Sequence, residues 1–177
     1  MGDGMVGVRE RLVGDWATIS LWDGSGPGPH SPITGTGCGS LAGMRGSAWG
    51  WRLRRRVNRL NGTTALGLAV ARAGGARCRP GPGGVILAEG YRWGFPVAGA
   101  FTVGDVVVTR GDFDALCGRL PEVLEHERRH CAQYAVLGLA FLPLYVVATA
   151  WSWLFLRDLA RGNLFERWAG LRSGGYL

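Results

Sequence analysis

An α+β fold of single-domain size is what the sequence predicts, and three observations carry that expectation. β-Branched and aromatic residues cluster between glycines near 83–94 and 101–109, a helical pattern runs into the charge-dense "LEHERRH", and 22 uncharged residues follow from Ala135 to Leu156. The 177 residues leave room for one domain, or one domain with a tail, because compact domains take roughly 100–200 residues.

The chain opens with residues 1–50, whose stretch "DGSGPGPHSPITGTGCGSLAGMRGSAWG" is rich in Gly, Pro and Ser. Few large apolar side chains are present to offset the entropy of ordering. A flexible Gly/Pro-rich N-terminal region at 1–50 is expected, with the domain at 51–177 and His30 as a solvated loop residue. A true start downstream of Met1, Met5 or even Met44 fits the same composition.

"WRLRRRVNRL" places Trp51, Leu53, Val57 and Leu60 near helical spacing with arginines between them, which predicts a short amphipathic helix ended by Asn61-Gly62. Its arginines form either a solvated face above a core seam or a contact for a membrane surface or nucleic acid. "TALGLAVARAGG" follows as a small helix or strand closed by Gly-Gly. "GGVILAEGYRWG" and "FTVGDVVVTRGDF" are the strand candidates, with Phe101 to Thr109 the stronger. Asp112 or Asp114 can cap the next helical turn, and Pro121 suits the first position of the helix that carries the histidines.

Ala135 to Leu156 reads "AVLGLAFLPLYVVATAWSWLFL". A helix of that length spans a bilayer core of about 30 Å. Gly138 and Pro143 interrupt the run and Trp151, Ser152 and Trp153 make one end amphiphilic, so a buried helix pair in a small protein accounts for it as well. Membrane association through 135–156 and a soluble helical hairpin are both carried forward.

All 20 basic residues are arginine, and the net charge is +7. Between Asp23 and Glu89 no acidic residue occurs, so the charge is polarised along the chain. An all-Arg, Gly- and Ala-rich composition weakens the charge as a sign of an anionic partner, and nucleic acid is not the expected one. Cys38, Cys78, Cys117 and Cys131 form no CxxC pair, and no basic segment followed by an apolar run opens the sequence. Reduced thiols in a cytoplasmic protein, membrane-associated if 135–156 meets lipid, are the expectation.

The chemistry gathers at "LEHERRHCAQY". On a helix His126 and His130 fall within about 40° of each other, and Gln133 returns to their face. Leu120, Leu124, Cys131 and Ala135 take roughly the opposite side, and Arg128 sits awkwardly near it. Two neutral imidazoles one turn apart supply half of a tetrahedral zinc site, and Glu127 beside the first can take a proton from a water there. The candidate third ligand is Glu166 in "GNLFERWAGL", after the apolar run. The alternative for "HERRH" is a charged turn of exposed helix.

"FTVGDVVVT", then "LEHERRHCAQY", a hydrophobic hairpin and "NLFERWAG" together resemble the zincin-like metallopeptidase modules of bacteria, which carry a strand, an HExxHxxQ helix and a downstream Glu in an ExxA pattern. The resemblance covers residues 97 to 177. The end of the chain also resembles actinobacterial proteins ending in "FERxAGLxSGGY". The resemblance implies a zincin-like domain with a short sheet, an active helix and an apolar helical hairpin. It implies His126, His130 and Glu166 as zinc ligands, Glu127 as general base, Gln133 and Asn163 as supporting or cleft residues, and a peptide or protein substrate. It further implies that Phe101 to Thr109 is an edge strand on which an extended peptide lies. In that pattern an Asp often stands four residues after the Glu ligand to orient a histidine; here the position is Gly170. A peptidase also needs a donor for its oxyanion, and Tyr134, Tyr145, Tyr176 and Arg129 are the candidates.

Overall fold

The computed structural model describes residues 48–94 and 98–176, so most of the expected flexible region, with His30 and Cys38, lies outside the described residues. Helix α1 (Ala48–Leu60) and helix α2 (Thr63–Ala73) lead into strand β1 (Arg77–Pro80), a 3-10 turn at Pro82–Gly84 and strand β2 (Ile86–Glu89). Strands β3 (Ala100–Val103) and β4 (Val106–Thr109) follow, then helix α3 (Phe113–Arg119), helix α4 (Val123–Leu137), a 3-10 turn at Gly138–Ala140, helix α5 (Phe141–Leu156) and helix α6 (Leu164–Ala169). This is a mixed α+β fold around one four-stranded sheet of order β1-β2-β4-β3, with β2 and β4 parallel and the other pairs antiparallel.

Alternation along the strands sets the layers, since neighbouring residues point to opposite faces. Leu87 and Val107 are paired in register and pack with Phe113, Leu116, Val123, Leu124 and Cys131 beneath α3 and α4. Ala88, Val106 and Val108 turn to the other face, where Ala71 of α2 and Tyr91 close the core. A third cluster of Val103, Tyr134, Phe141 and Phe165 joins the outer strand to α4, α5 and α6.

Phe101 to Thr109 is a hairpin and not the single expected strand. Gly104 has φ 63°, and a Cβ there would lie 2.5 Å from the Thr63 backbone carbon, so only glycine fits the turn. Asp105 is buried beside it, accepting from Arg54 Nε at 2.9 Å and from Thr64 Oγ1 at 3.5 Å. The hairpin makes β3 the outer strand and moves β4 inside the sheet.

Helix α1 also departs from expectation. Its inward positions are Arg54 and Asn58, while Leu53 and Leu60 are exposed. The buried charge of Asp105 draws Arg54 inward, and Asn58 Nδ2 donates to the Cys131 carbonyl at 3.0 Å. Asp112 caps α3 by accepting from Ala115 N at 2.7 Å, whereas α4 starts at Val123, leaving Pro121 just outside it.

Strand β1 had no expectation at all, because its residues "RCRP" are all exposed and carry no apolar alternation. Cys78 and Cys131 are free.

The uncharged run is neither a helical hairpin nor a buried pair. It covers the end of α4, the turn at Gly138 (φ 59°, ψ −141°) and the single helix α5, in which only Phe141 and Ser152 are buried.

Candidate metal centre

Helix α4 presents His126 and His130 from successive turns, and α6 returns Glu166 between them. One ligand atom from each lies within 4.8 Å of the others, and all three residues are buried. His126 Nε2 and His130 Nε2 are 3.1 Å apart, with Glu166 Oε2 3.2 Å from the first and Glu166 Oε1 3.5 Å from the second. Asn163 starts α6 by accepting from Phe165 N at 2.9 Å, which places Glu166 one turn in, facing the histidines.

Hydrogen bonds behind the rings decide which nitrogens are free. His126 Nδ1 lies 3.0 Å from the Gly170 carbonyl, which only accepts, so Nδ1 carries the proton. Gln133 Nε2 donates to the Phe165 carbonyl at 2.9 Å, which turns Oε1 toward His130 Nδ1 at 2.8 Å and makes that nitrogen a donor as well. The two Nε2 lone pairs then converge on the carboxylate, whose Oε2 is buried without a hydrogen-bond partner. Three converging acceptors attract a cation, either a proton or a metal ion.

The electrostatics agree. Burial opposes ionisation of Glu166, but with a proton in the cluster the hydrogen bonds from His126 and His130, joined by the Tyr145 hydroxyl, outweigh it and hold its carboxyl well below the usual range. Burial likewise disfavours the charged form of His130, yet Glu166, Glu127 and Gln133 reverse this and raise its pKa.

Glu127 is buried on the same helical turn and accepts from Thr102 Oγ1 of β3, at 2.7 Å to Oε2. Sequence reasoning missed Thr102, because nothing in "FTVGD" marks which strand residue will meet the helix. It also read Gly170 as a gap in the support of the histidine, whereas the Gly170 backbone carbonyl does that work. With φ 93°, a Cβ there would stand 2.5 Å from Arg129 Nη1 and 2.7 Å from Ser173 Oγ. The turn after α6 then passes over His126, and a Cβ on Gly174 would lie 2.6 Å from its Cε1.

The remaining candidates separate cleanly. Gln133 lies against His130, with its Oε1 2.8 Å from Nδ1. Asn163 is a fully buried helix cap whose Nδ2 donates to Thr149 Oγ1 at 2.9 Å, so it is a fold residue and not a cleft residue. Tyr134 packs on Phe141 at a centroid distance of 4.3 Å in the core. Arg129 Nη1 donates to the Ala169 carbonyl at 2.8 Å and secures the turn after α6. Tyr145 donates its hydroxyl to Glu166 Oε1, and the Tyr176 ring stands 5.9 Å from that of His126, so these two tyrosines adjoin the cluster. Arg128 pairs with Glu125 at 2.8 Å, but its Nε is buried without a partner.

Comparison with protein-family models, with curated proteins and with solved structures found no match. The chain is therefore defined by its own geometry: an α+β protein with a buried two-histidine, one-glutamate cluster that could hold a metal ion.

Proposed function

We propose that the chain is a zincin-like, zinc-dependent metallopeptidase, a hydrolase of peptide bonds. The observation that carries this reading is the convergence of His126, His130 and Glu166 with Glu127 on the same turn of α4. Tetrahedral zinc with bonds of about 2.0–2.1 Å to nitrogen has ligand-to-ligand edges of about 3.3 Å. The separations of 3.1, 3.2 and 3.5 Å in the cluster bracket that edge. Two supported imidazoles and a carboxylate suit zinc, and three protein ligands are the number that leaves a position open for substrate or water.

Zinc held by His126, His130 and Glu166 would supply Lewis acidity, of the kind that lowers the pKa of water to about 7. Glu127, steadied at Oε2 by Thr102, takes the proton of the attacking water through its other oxygen. The oxygen–carbon bond forms, the carbon–nitrogen bond breaks, and Glu127 passes the same proton to the departing amine. Tyr176, whose ring stands 5.9 Å from that of His126, is the candidate donor toward a developing oxyanion, since the Tyr145 hydroxyl is already given to Glu166. Strand β3, the outer strand among the described residues, offers main-chain groups to an extended peptide beside Glu127.

Metal content and turnover test this together. Purified protein is expected to hold near one zinc per chain by elemental mass spectrometry and to lose it in His126→Ala and Glu166→Ala. Glu127→Gln is expected to keep zinc while cleavage of a peptide library falls at least about 100-fold. Absence of zinc after reconstitution, or full activity in Glu127→Gln, overturns the reading.

The burial of all four residues favours a second reading, a closed, metal-stabilised binding module. Cobalt substitution separates the two: a hydroxamate shifts the visible spectrum of an open site and leaves a closed one unchanged.

A further inference from the structure

Helix α5 turns one stripe toward the protein, and the described residues leave the rest of its circumference uncovered. Phe141, Tyr145, Thr149 and Ser152 form the inward stripe at helical spacing. Phe141 packs on Tyr134 and Phe165, Tyr145 reaches Glu166, Thr149 bonds Asn163, and Ser152 Oγ accepts from Gly162 N at 2.8 Å. The other faces are Leu142, Leu144, Val146, Val147, Leu154 and Phe155, of which Val147 is 66% and Phe155 59% exposed. A helix that is apolar all round is stable where an apolar medium surrounds it, and an exposed patch of this extent marks an interaction surface.

The site of contact continues beyond α5. Asn61 Nδ2 donates to the Tyr134 carbonyl at 3.1 Å near the end of α4, where Val136 is 83% exposed, and Leu60, the residue before Asn61, is 88% exposed. At the opposite end, Trp151 and Trp153 are exposed and the Arg157 guanidinium lies 5.1 Å over the Trp153 ring. Exposed Arg161, Arg167 and Arg172 follow, against Asp158 and the buried Glu166. Aromatic rings with arginines at one end of an apolar helix fit a membrane interface, and a positive surplus fits anionic headgroups.

We propose that α5 is a one-sided membrane anchor that inserts its uncovered faces into an anionic lipid bilayer. The run Val123–Leu156 is apolar enough by composition to cross a membrane, but its first half carries the histidines and Gly138 breaks it. The 16 residues of α5 rise about 24 Å, short of the roughly 30 Å bilayer core, and the inward stripe is tied to protein along its length. Lying in the interface is the arrangement left. A second copy of the chain would cover only one side of such a ridge, whereas lipid closes around all of it.

Flotation of the full chain with phosphatidylglycerol–phosphatidylcholine vesicles tests the anchor. Binding is expected, tighter than to phosphatidylcholine alone, and at least tenfold weaker in Val147→Glu/Leu154→Glu, with an unchanged far-ultraviolet circular dichroism spectrum showing that the variant is folded. Independently of that variant, brominated acyl chains are expected to quench the wild-type tryptophan emission, and less so in Trp151→Phe/Trp153→Phe. No flotation of the wild type, flotation unchanged by the double substitution, or a lipid-free dimer that Val147→Glu dissociates and that does not float each overturns the proposal.

Discussion

Replacing Gly170 with alanine tests whether a backbone carbonyl has taken over the task of a side chain. The residue sits at φ 93° and ψ 105°, a conformation that costs a residue with a side chain about 1–3 kcal/mol. Its new methyl would stand 2.5 Å from Arg129 Nη1 and 2.7 Å from Ser173 Oγ. Arg129 is long and half exposed and can swing aside, but Ser173 is buried, and its hydroxyl donates to the Gly170 carbonyl at 2.9 Å. Losing that bond adds about 1 kcal/mol, for a total of about 2–4 kcal/mol. At about 2–4 °C per kcal/mol the thermal midpoint falls by roughly 5–15 °C. The same displacement pulls the carbonyl from His126 Nδ1, so zinc affinity falls about tenfold. Thermal melts followed by circular dichroism, with and without zinc, read both effects. A midpoint within about 1 °C of wild type together with unchanged zinc affinity would refute the reasoning.

Gln133→Leu removes the acceptor on His130 Nδ1 and is expected to weaken metal binding about 10- to 100-fold in competition with a chromophoric chelator; equal affinity would show that the amide does not orient the ring. Thr102→Val deletes the 2.7 Å hydrogen bond to Glu127, and turnover is expected to fall about tenfold at unchanged zinc content. Turnover equal to wild type in Thr102→Val counts against the role. Glu89 is partly buried, which opposes its charge, but the Arg79 guanidinium and Phe113 N–H prevail and lower its pKa. A lowered folded pKa gives stability that is present above about pH 4.5 and lost as pH falls through the folded value. Glu89→Gln should therefore show a shallower loss of stability on acidification, measured by urea unfolding at stepped pH.

The elements that the sequence made legible are those whose pattern is local. The helical spacing of α4, the β-branched run "VVVT" and the Asp112 cap could all be read from neighbours along the chain. The cluster was legible too, because His126 and His130 share one face and Glu166 sits in a recognisable stretch. What escaped depends on distant partners. Asp105 in a buried turn converts Arg54 from a surface charge to an interior one, and Thr102 acquires its role only because β3 runs beneath Glu127. The Gly170 carbonyl lay hidden in a different way, since motif reading weighs side chains and a backbone oxygen leaves no letter. The apolar run left two alternatives open, lipid contact or a buried helix pair, because hydropathy reports what a segment prefers and not which neighbours will cover it.

Helix α1 bears on the alignment of the site without touching it. Arg54 grips the Asp105 turn at the end of β3, while Asn58 and Asn61 hold the Cys131 and Tyr134 carbonyls of α4. Apolar packing tolerates a small slide; two amide bonds to carbonyls three residues apart do not, since an axial shift of about 1.5 Å breaks both at once. One rod thus gauges the spacing between the strand that carries Thr102 and the helix that carries Glu127. Removing α1 would leave His126, His130 and Glu166 in the chain and lose the ruler that sets carboxylate against strand.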